Sequence, residues 1–192
     1  MKERILTSLI TVIVLTGLQA QTASPVPRLV VGLTIDQLRS DYIEAFSALY
    51  GEKGFKRLMK EGRVYCNAEY DFINIDRSSA VASVYTGTTP YYNGIVGNRW
   101  MDRNTLRMVK CVDDPAYMGI YTSESTSPQH LLVSTLSDEL MVASNGAAEV
   151  YSIAPTREMA ILSAGHAAKC ALWLNDETGK WCGSTYYGTF PD

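Results

Sequence analysis

A continuous apolar run restricts the possible folds of this chain more than any other feature of its sequence. Residues 29–35 (LVVGLTI) are apolar and rich in β-branched side chains, and the run ends abruptly at Asp36. Such a run is typical of a strand buried on both faces, as in a parallel sheet. Residues 149–154 predict a second buried strand. The sequence therefore predicts an α/β protein with an open, mostly parallel sheet flanked by helices.

Helices are predicted between these strands from their N-cap residues and glycine stops. Ser78 or Ser79 is expected to start a helix that ends at Gly87. Ser127 followed by Pro128 predicts the start of another helix. Two further helices are predicted, one capped by Ser40 and one over residues 55–61. A strand is predicted over residues 63–70 and a hairpin over residues 100–112. Another strand is predicted over residues 171–174, followed by a turn at residues 176–179 and a returning strand.

The N-terminus has the pattern of a targeting segment. A basic start precedes an apolar run over residues 5–18, and Ala20 provides a small residue for cleavage. The run is shorter than the roughly 20 residues that cross a bilayer, so a cleaved signal peptide over residues 1–20 is expected rather than a membrane anchor. Residues 21–27 are expected to be a flexible lead-in and residues 28–192 the domain itself. The mature protein is therefore expected in the periplasm or outside the cell.

Composition and charge indicate a globular domain and exclude a general role in nucleic-acid binding. Of the 192 residues 46% are hydrophobic and 19% are charged, which is typical of a globular domain. A formal net charge of -3 without blocks of like charge argues against nucleic-acid binding. The four cysteines can form disulfides in three pairings if the protein is exported, or they can be buried free thiols.

Three places along the chain carry residues suited to phosphate chemistry. Asp36 lies at the predicted carboxyl end of a strand, where it can bind a cation or simply cap a turn. Arg77 and Ser78 lie at a predicted helix start, where unpaired N–H groups hold phosphate well, although a Ser there is usually an ordinary N-cap. Asn98 follows a glycine-flanked turn and can donate to a phosphoryl oxygen, or it can be a turn residue only.

The order of these places resembles the alkaline phosphatase superfamily, in particular phosphate-irrepressible alkaline phosphatases and type I phosphodiesterase/nucleotide pyrophosphatases. The resemblance rests on the segments VVGLTIDQLRSDY, GFKRLMKEG, YTGTTPYYNGIVGN, ILSAGH and TGKW, which run from about residue 29 to residue 187. It implies an alkaline phosphatase-like α/β domain of which this chain is the N-terminal part. It also implies an exported, metal-dependent phosphomonoesterase or phosphodiesterase that acts on a phosphate ester with two zinc ions.

The resemblance also implies roles for individual residues. Asp36 matches the metal-binding Asp after the first strand, and Asn98 matches the Asn that contacts the phosphoryl group. The family's nucleophile is a Thr or Ser nine residues before the Thr of the TG pair, and counting back from Thr86 gives Arg77. Arg77 cannot be that nucleophile, but it can bind phosphate. Ser78, one residue away, is then the candidate nucleophile and a candidate metal ligand.

Two departures from the family pattern favour an alternative function. The Lys-x-Arg pair of the phosphomonoesterases is replaced by Thr156 and Glu158, with Arg157 between them as a partial substitute. The two histidines, His130 and His166, lie in no metal motif, and His166 is expected to fix a loop. The usual residues therefore do not complete a two-zinc site in this chain. The alternative is a non-catalytic relative that binds an anionic small molecule or a protein partner.

Overall fold

A computed structural model describes residues 28–190. The predicted signal peptide and lead-in therefore lie outside the described residues. Residues 28–33 belong to a unit separate from residues 34–190. No helix in the described part of the chain is long and apolar enough to cross a membrane.

Six α-helices are described between residues 34 and 190, and most end or begin at the residues that local propensity favours. Helix α3 ends at Gly87, whose φ of 66° is the left-handed conformation that glycine adopts without strain. The predicted helix over residues 55–61 is confirmed and ends at Gly62. The helices are α1 Ser40–Ala45, α2 Phe55–Glu61, α3 Arg77–Thr86, α4 Pro90–Asn93, α5 Leu136–Ala143 and α6 Arg157–Ala164, with 3-10 turns at Ser47–Leu49 and Thr185–Tyr187.

The described strands form two sheets. Strands β1 (Arg99–Met101) and β2 (Met108–Lys110) pair antiparallel, which confirms the predicted hairpin. The second sheet has the order β3-β6-β5-β4 and is built from β3 (Gly119–Ile120), β4 (Tyr151–Ala154), β5 (Cys170–Leu174) and β6 (Trp181–Ser184). Strands β4 and β5 are parallel, whereas β6 pairs antiparallel with both β5 and β3.

The prediction of a mostly parallel sheet therefore needs correction for the described strands, although the α/β class holds. The parallel pair is a β4–α6–β5 crossover, and α6 packs on both of these strands and on α3. The turn after β5 is too short for a crossover, so β6 returns antiparallel. The core between α3, α6 and the sheet contains the fully buried side chains of Ile95, Val112, Ile161 and Leu162.

Two predicted strands are not formed in the described residues. Residues 29–35 contain no strand, and Leu33 is 80% exposed. Residues 63–70 likewise contain no strand and are exposed. A strand needs a hydrogen-bonded neighbour, and no described strand pairs with either segment. Apolar periodicity identifies segments that are suited to form strands. It does not show whether a partner strand lies beside them.

Three predicted helix starts are also wrong. Helix α1 is preceded by Arg39 as its N-cap, so Ser40 is its first residue and not its cap. The other two helices use different capping residues from those predicted. Helix α5 begins at Leu136, because the Thr135 hydroxyl accepts the backbone N–H of Asp138 in a capping box. The Ser127 hydroxyl instead donates to the buried Asp114 carboxylate at 2.5 Å. Helix α3 is capped by Asp76 rather than by a serine.

The structure shows whether the four cysteines form disulfides. All four are free thiols, with Cys66 exposed and the other three buried. The alternative of buried free thiols therefore describes three of the four cysteines in this structure, and Cys66 is a free but exposed thiol.

Candidate anion-binding site

Asp76 builds the frame of the candidate site. One carboxylate oxygen accepts the backbone N–H of Ser79 at 2.8 Å, and the Ser79 hydroxyl in turn accepts the backbone N–H of Asp76 at 3.0 Å. The second carboxylate oxygen accepts the backbone N–H of Asn98 at 2.6 Å. Asp76 therefore caps α3 and fixes the loop that carries Asn98 beside the start of this helix.

Two buried groups orient the Asn98 side chain. Ser78 is 2% exposed, and its hydroxyl donates to Asn98 Oδ1 at 3.2 Å. The buried Cys111 thiol lies 3.9 Å from the same oxygen, and burial raises its pKa to about 12, so the thiol keeps its proton. Because Oδ1 faces these two donors, the amide NH₂ group of Asn98 faces the other way. This NH₂ group has no partner in the described part of the chain.

An ion pair lies beside this frame. Arg77, the first residue of α3, donates from Nε to the Asp36 carboxylate at 2.6 Å. The Arg77 side chain is 46% exposed and that of Asp36 is 33% exposed, so both remain in contact with solvent. Gln37, which follows Asp36, has a φ of 60°, so the backbone turns sharply directly after the carboxylate.

The four candidate residues predicted from the sequence, Asp36, Arg77, Ser78 and Asn98, line one cleft of about 690 Å³. The cleft also includes Thr156 and Glu158 at the start of α6, the two positions that the resemblance assigns to the Lys-x-Arg pair.

Arg157 does not substitute for that pair. Its side chain is 3% exposed and does not line this cleft. It donates to Asp113 at 2.9 Å and lies within 3.6 Å of Glu124. Arg157 therefore fixes the start of α6 to neighbouring loops, and the expectation of partial substitution is wrong.

The histidines lie elsewhere. His166 is bonded at both ring nitrogens, through Nδ1 to Asp138 at 3.2 Å and through Nε2 to the Leu131 carbonyl at 3.0 Å. This confirms that His166 fixes a loop. The ring of His130 packs edge-on against Trp100 with centroids 5.3 Å apart. Neither histidine lines the cleft.

Asp138 is the centre of the loop that His166 closes. It accepts the backbone N–H groups of Thr135, His166 and Ala167. Burial alone raises the pKa of this carboxyl, but the hydrogen bonds from His166 and the backbone outweigh burial and hold the pKa below its usual range. The same hydrogen bond raises the pKa of His166.

The residues of the cleft do not fit the two-zinc site that the resemblance implies. One catalytic zinc ion is normally held by about three protein ligands. Among the described residues, no three His, Cys, Asp or Glu side chains lie close enough together to hold a metal ion. Asp36 is paired with Arg77, and each carboxylate oxygen of Asp76 accepts a backbone N–H.

The sequence reasoning missed Asp76 and Cys111. The segment DRSS carries the signal for Asp76, since an Asp followed three residues later by a Ser forms a reciprocal cap here. Cys111 reaches the site because the β1–β2 hairpin brings its backbone N–H to the Asn98 carbonyl at 2.9 Å.

Comparison with known proteins decides the family. Residues 30–191 match the family described as type I phosphodiesterase / nucleotide pyrophosphatase. The chain belongs to this family. Membership confirms the resemblance to the alkaline phosphatase superfamily that the sequence segments indicated.

Two alkaline phosphatases illustrate how much of this family fold is present. The chain is 42% identical over 164 residues to alkaline phosphatase PhoV of Synechococcus elongatus, covering 84% of this chain and 30% of PhoV. It is 36% identical over 175 residues to alkaline phosphatase PafA of Elizabethkingia meningoseptica, covering 89% of this chain and 32% of PafA. The chain therefore spans about a third of the length of these relatives.

Solved structures confirm the α/β fold. The crystal structure of wild-type PafA superimposes with a TM-score of 0.84 at 35% identity, over 88% of this chain and 33% of that one. A PafA variant with one Thr, one Asn, one Lys and one Arg substituted gives the same TM-score of 0.84.

Proposed function

We propose that this chain belongs to an exported phosphoric ester hydrolase-like protein, and that its cleft binds the phosphoryl group of a phosphate mono- or diester. Family membership and the alkaline phosphatase relatives support the class of ligand. The observation that carries the proposal is the convergence of Arg77 and Asn98, which both present N–H donors, on one cleft at the start of α3.

The donors available in this cleft suit a phosphoryl group. The Asn98 NH₂ group is directed away from its buried partners, and the backbone N–H groups of Arg77 and Ser78 are not used by the Asp76 cap. The positive end of the α3 dipole adds about 0.3–1 kcal/mol for a negative charge at this end. Among the described residues that line the cleft, Arg77 alone carries a formal positive charge.

Ser78 has a positioning role in this proposal. Its hydroxyl proton points to Asn98 Oδ1, and its side chain is buried beneath the cleft surface. In this geometry Ser78 fixes the Asn98 amide so that the NH₂ group faces the ligand. The nucleophile and metal-ligand roles implied by the resemblance stay predictions.

The substitutions in the PafA variant support the assignment of positions. Its Thr and Asn are separated by the same number of positions as Arg77 and Asn98. Its Lys and Arg have the same spacing as Thr156 and Glu158, which line the cleft here. We therefore propose that Asn98 keeps the family role, while the other three positions carry different chemistry in this chain.

The second candidate function, a non-catalytic anion-binding relative, is favoured by Arg77 at the position of the nucleophile. We expect the chain alone to bind phosphate esters with little or no turnover. The zinc dependence that the resemblance implies would require ligands in addition to Asp36.

The test is hydrolysis of aryl phosphate mono- and diesters by the purified chain, with and without added zinc. The expected rate equals the buffer rate under all conditions. A zinc-dependent rate that disappears in both Asp36→Ala and Ser78→Ala would show that the chain catalyses by itself, and would restore Ser78 as the nucleophile. Arg57→Ala, on the exposed face of α2 and away from the cleft, is the control variant.

A further inference from the structure

We infer that Arg77, held by Asp36, makes this cleft an anion site that works without a metal ion. The inference rests on the proposed function, because it assumes that the cleft binds a phosphoryl group. It adds the identity of the cation that faces this group: the guanidinium of Arg77 rather than zinc.

The first step is the state of Asp36. Its carboxylate already has a cationic partner, since Arg77 Nε lies 2.6 Å from Oδ2. That distance is slightly shorter than the about 2.7–2.9 Å usual for a charge-assisted N–H···O hydrogen bond, so the two charged groups are in direct contact. A divalent ion bound to this oxygen would have to displace the guanidinium or lie directly beside a second positive charge. The family's metal ligand is therefore engaged within the protein itself.

The second step is the orientation of the guanidinium. Arg77 uses Nε for Asp36, and its two Nη groups have no hydrogen-bond partner in the described part of the chain. The side chain is 46% exposed and lines the cleft. Because the five donors of a guanidinium form a rigid fork, Asp36 can hold one edge while the Nη groups bind two oxygens of an anion.

The third step is the charge that surrounds Arg77. Asp36, Asp76 and Glu158 also line the cleft, so one guanidinium faces three carboxylates from three parts of the chain. Asp76 is engaged by two backbone N–H groups, and Glu158 lies 3.5 Å from the buried Arg157. The remaining negative charge still disfavours a dianion. A singly charged phosphodiester is therefore the appropriate probe, and we expect millimolar affinity.

The experiment is a titration of the ¹⁵N-labelled chain with bis(4-nitrophenyl) phosphate, followed by NMR in EDTA and in zinc. The Nε–H of Arg77 and the side-chain NH₂ of Asn98 are expected to shift, and the Kd is expected to differ less than about twofold between EDTA and zinc. Arg77→Thr, which places the family's residue type at this position, is expected to weaken binding in EDTA by about tenfold to a hundredfold. Arg77→Lys, which keeps the charge without the fork, should lie between these values.

Arg57→Thr is the matched control. Arg57 also pairs through Nε with an exposed carboxylate, Glu61, at 2.9 Å, but it lies on α2 outside the cleft. This variant is expected to bind the diester as the wild type does. Circular dichroism of each variant checks that the fold is kept.

The outcomes separate the two proposals. Binding by the wild type only in zinc, or equal binding by the wild type and Arg77→Thr in EDTA, would overturn the role of Arg77 and leave the proposed function standing. No binding by the wild type in either condition would overturn the proposed function itself.

Discussion

Replacement of Gly165 by alanine is expected to destabilise the domain by about 3–5 kcal/mol. Gly165 ends α6 with φ 72° and ψ -154°, a backbone conformation that is nearly restricted to glycine. A Cβ at this position would lie 2.2 Å from Thr135 Oγ1 and 2.6 Å from Asp138 Oδ2. These two atoms belong to the α5 capping box and to the buried carboxylate that closes the His166 loop.

The magnitude follows from three contributions that partly overlap. The backbone conformation costs an L-residue about 1–3 kcal/mol. Displacement of the Thr135 cap costs about 1 kcal/mol. Disturbed hydrogen bonds to the Asp138 carboxylate cost about 1.5–3 kcal/mol. Because small domains have only about 5–15 kcal/mol of stability, the variant is expected to approach the limit of folding.

The assay is urea unfolding followed by circular dichroism, with Gly179→Ala as the matched control. Gly179 also has a positive φ, 66°, but nothing lies within 4 Å of its Cβ position. The control should lose about 1–2 kcal/mol of stability, because alanine introduces only the strain of the left-handed backbone conformation. With a slope of about 2 kcal/mol per M, the Gly165→Ala midpoint should lie about 0.5–2 M below that of the control. Equal midpoints would refute the argument that contact with Thr135 and Asp138 makes Gly165 necessary.

Three further predictions concern other parts of the molecule. The pKa of Asp138 is lowered in the folded protein, so its contribution to stability is complete above its unfolded-state pKa and is lost as pH falls through its folded-state pKa. The pKa of His166 is raised, so its contribution to stability is complete below its unfolded-state pKa of about 6.5 and is lost as pH rises through its folded-state pKa. In Asp138→Asn the His166 pKa measured by NMR should fall relative to the wild type, and an unchanged value would exclude the pair as its cause. Ser78→Ala should weaken diester binding several-fold by releasing the Asn98 amide, whereas a loss as large as that of Asn98→Ala would indicate that Ser78 contacts the ligand itself. Export predicts that the protein isolated from its host begins near residue 21, and Edman sequencing that finds an intact Met1 would contradict it.

Elements specified by neighbouring residues were predictable from the sequence. The β5–β6 turn forms because the Asn175 side chain accepts the backbone N–H groups of Glu177 and Thr178, an interaction within four residues. The buried strand predicted over residues 29–35 failed for the opposite reason. Its pattern requires neighbouring strands from distant parts of a chain, and sequence periodicity contains no information about those partners.

In the candidate site, too, some features could be predicted from the sequence and others depended on residues far apart in the chain. The positions of Arg77 and Asn98 relative to each other followed from family spacing, and both line the cleft. The contact between Cys111 and Asn98 required the hairpin register that brings their backbones together. The direction of Arg157 depended on Asp113, a partner far away in sequence, and was not predictable from the Thr156 and Glu158 positions.

The hydrogen bonds that form the frame of the site do not involve the side chain at position 77. Asp76 fixes both the start of α3 and the Asn98 loop through backbone N–H groups, and Ser78 orients the Asn98 amide from below. The Arg77 side chain takes no part in these bonds and extends to Asp36 instead. The residue at position 77 can therefore change without moving the Asn98 amide. For the same reason Arg77→Thr changes the charge of the cleft while leaving its frame in place, so a change in anion binding in that variant reports on the guanidinium.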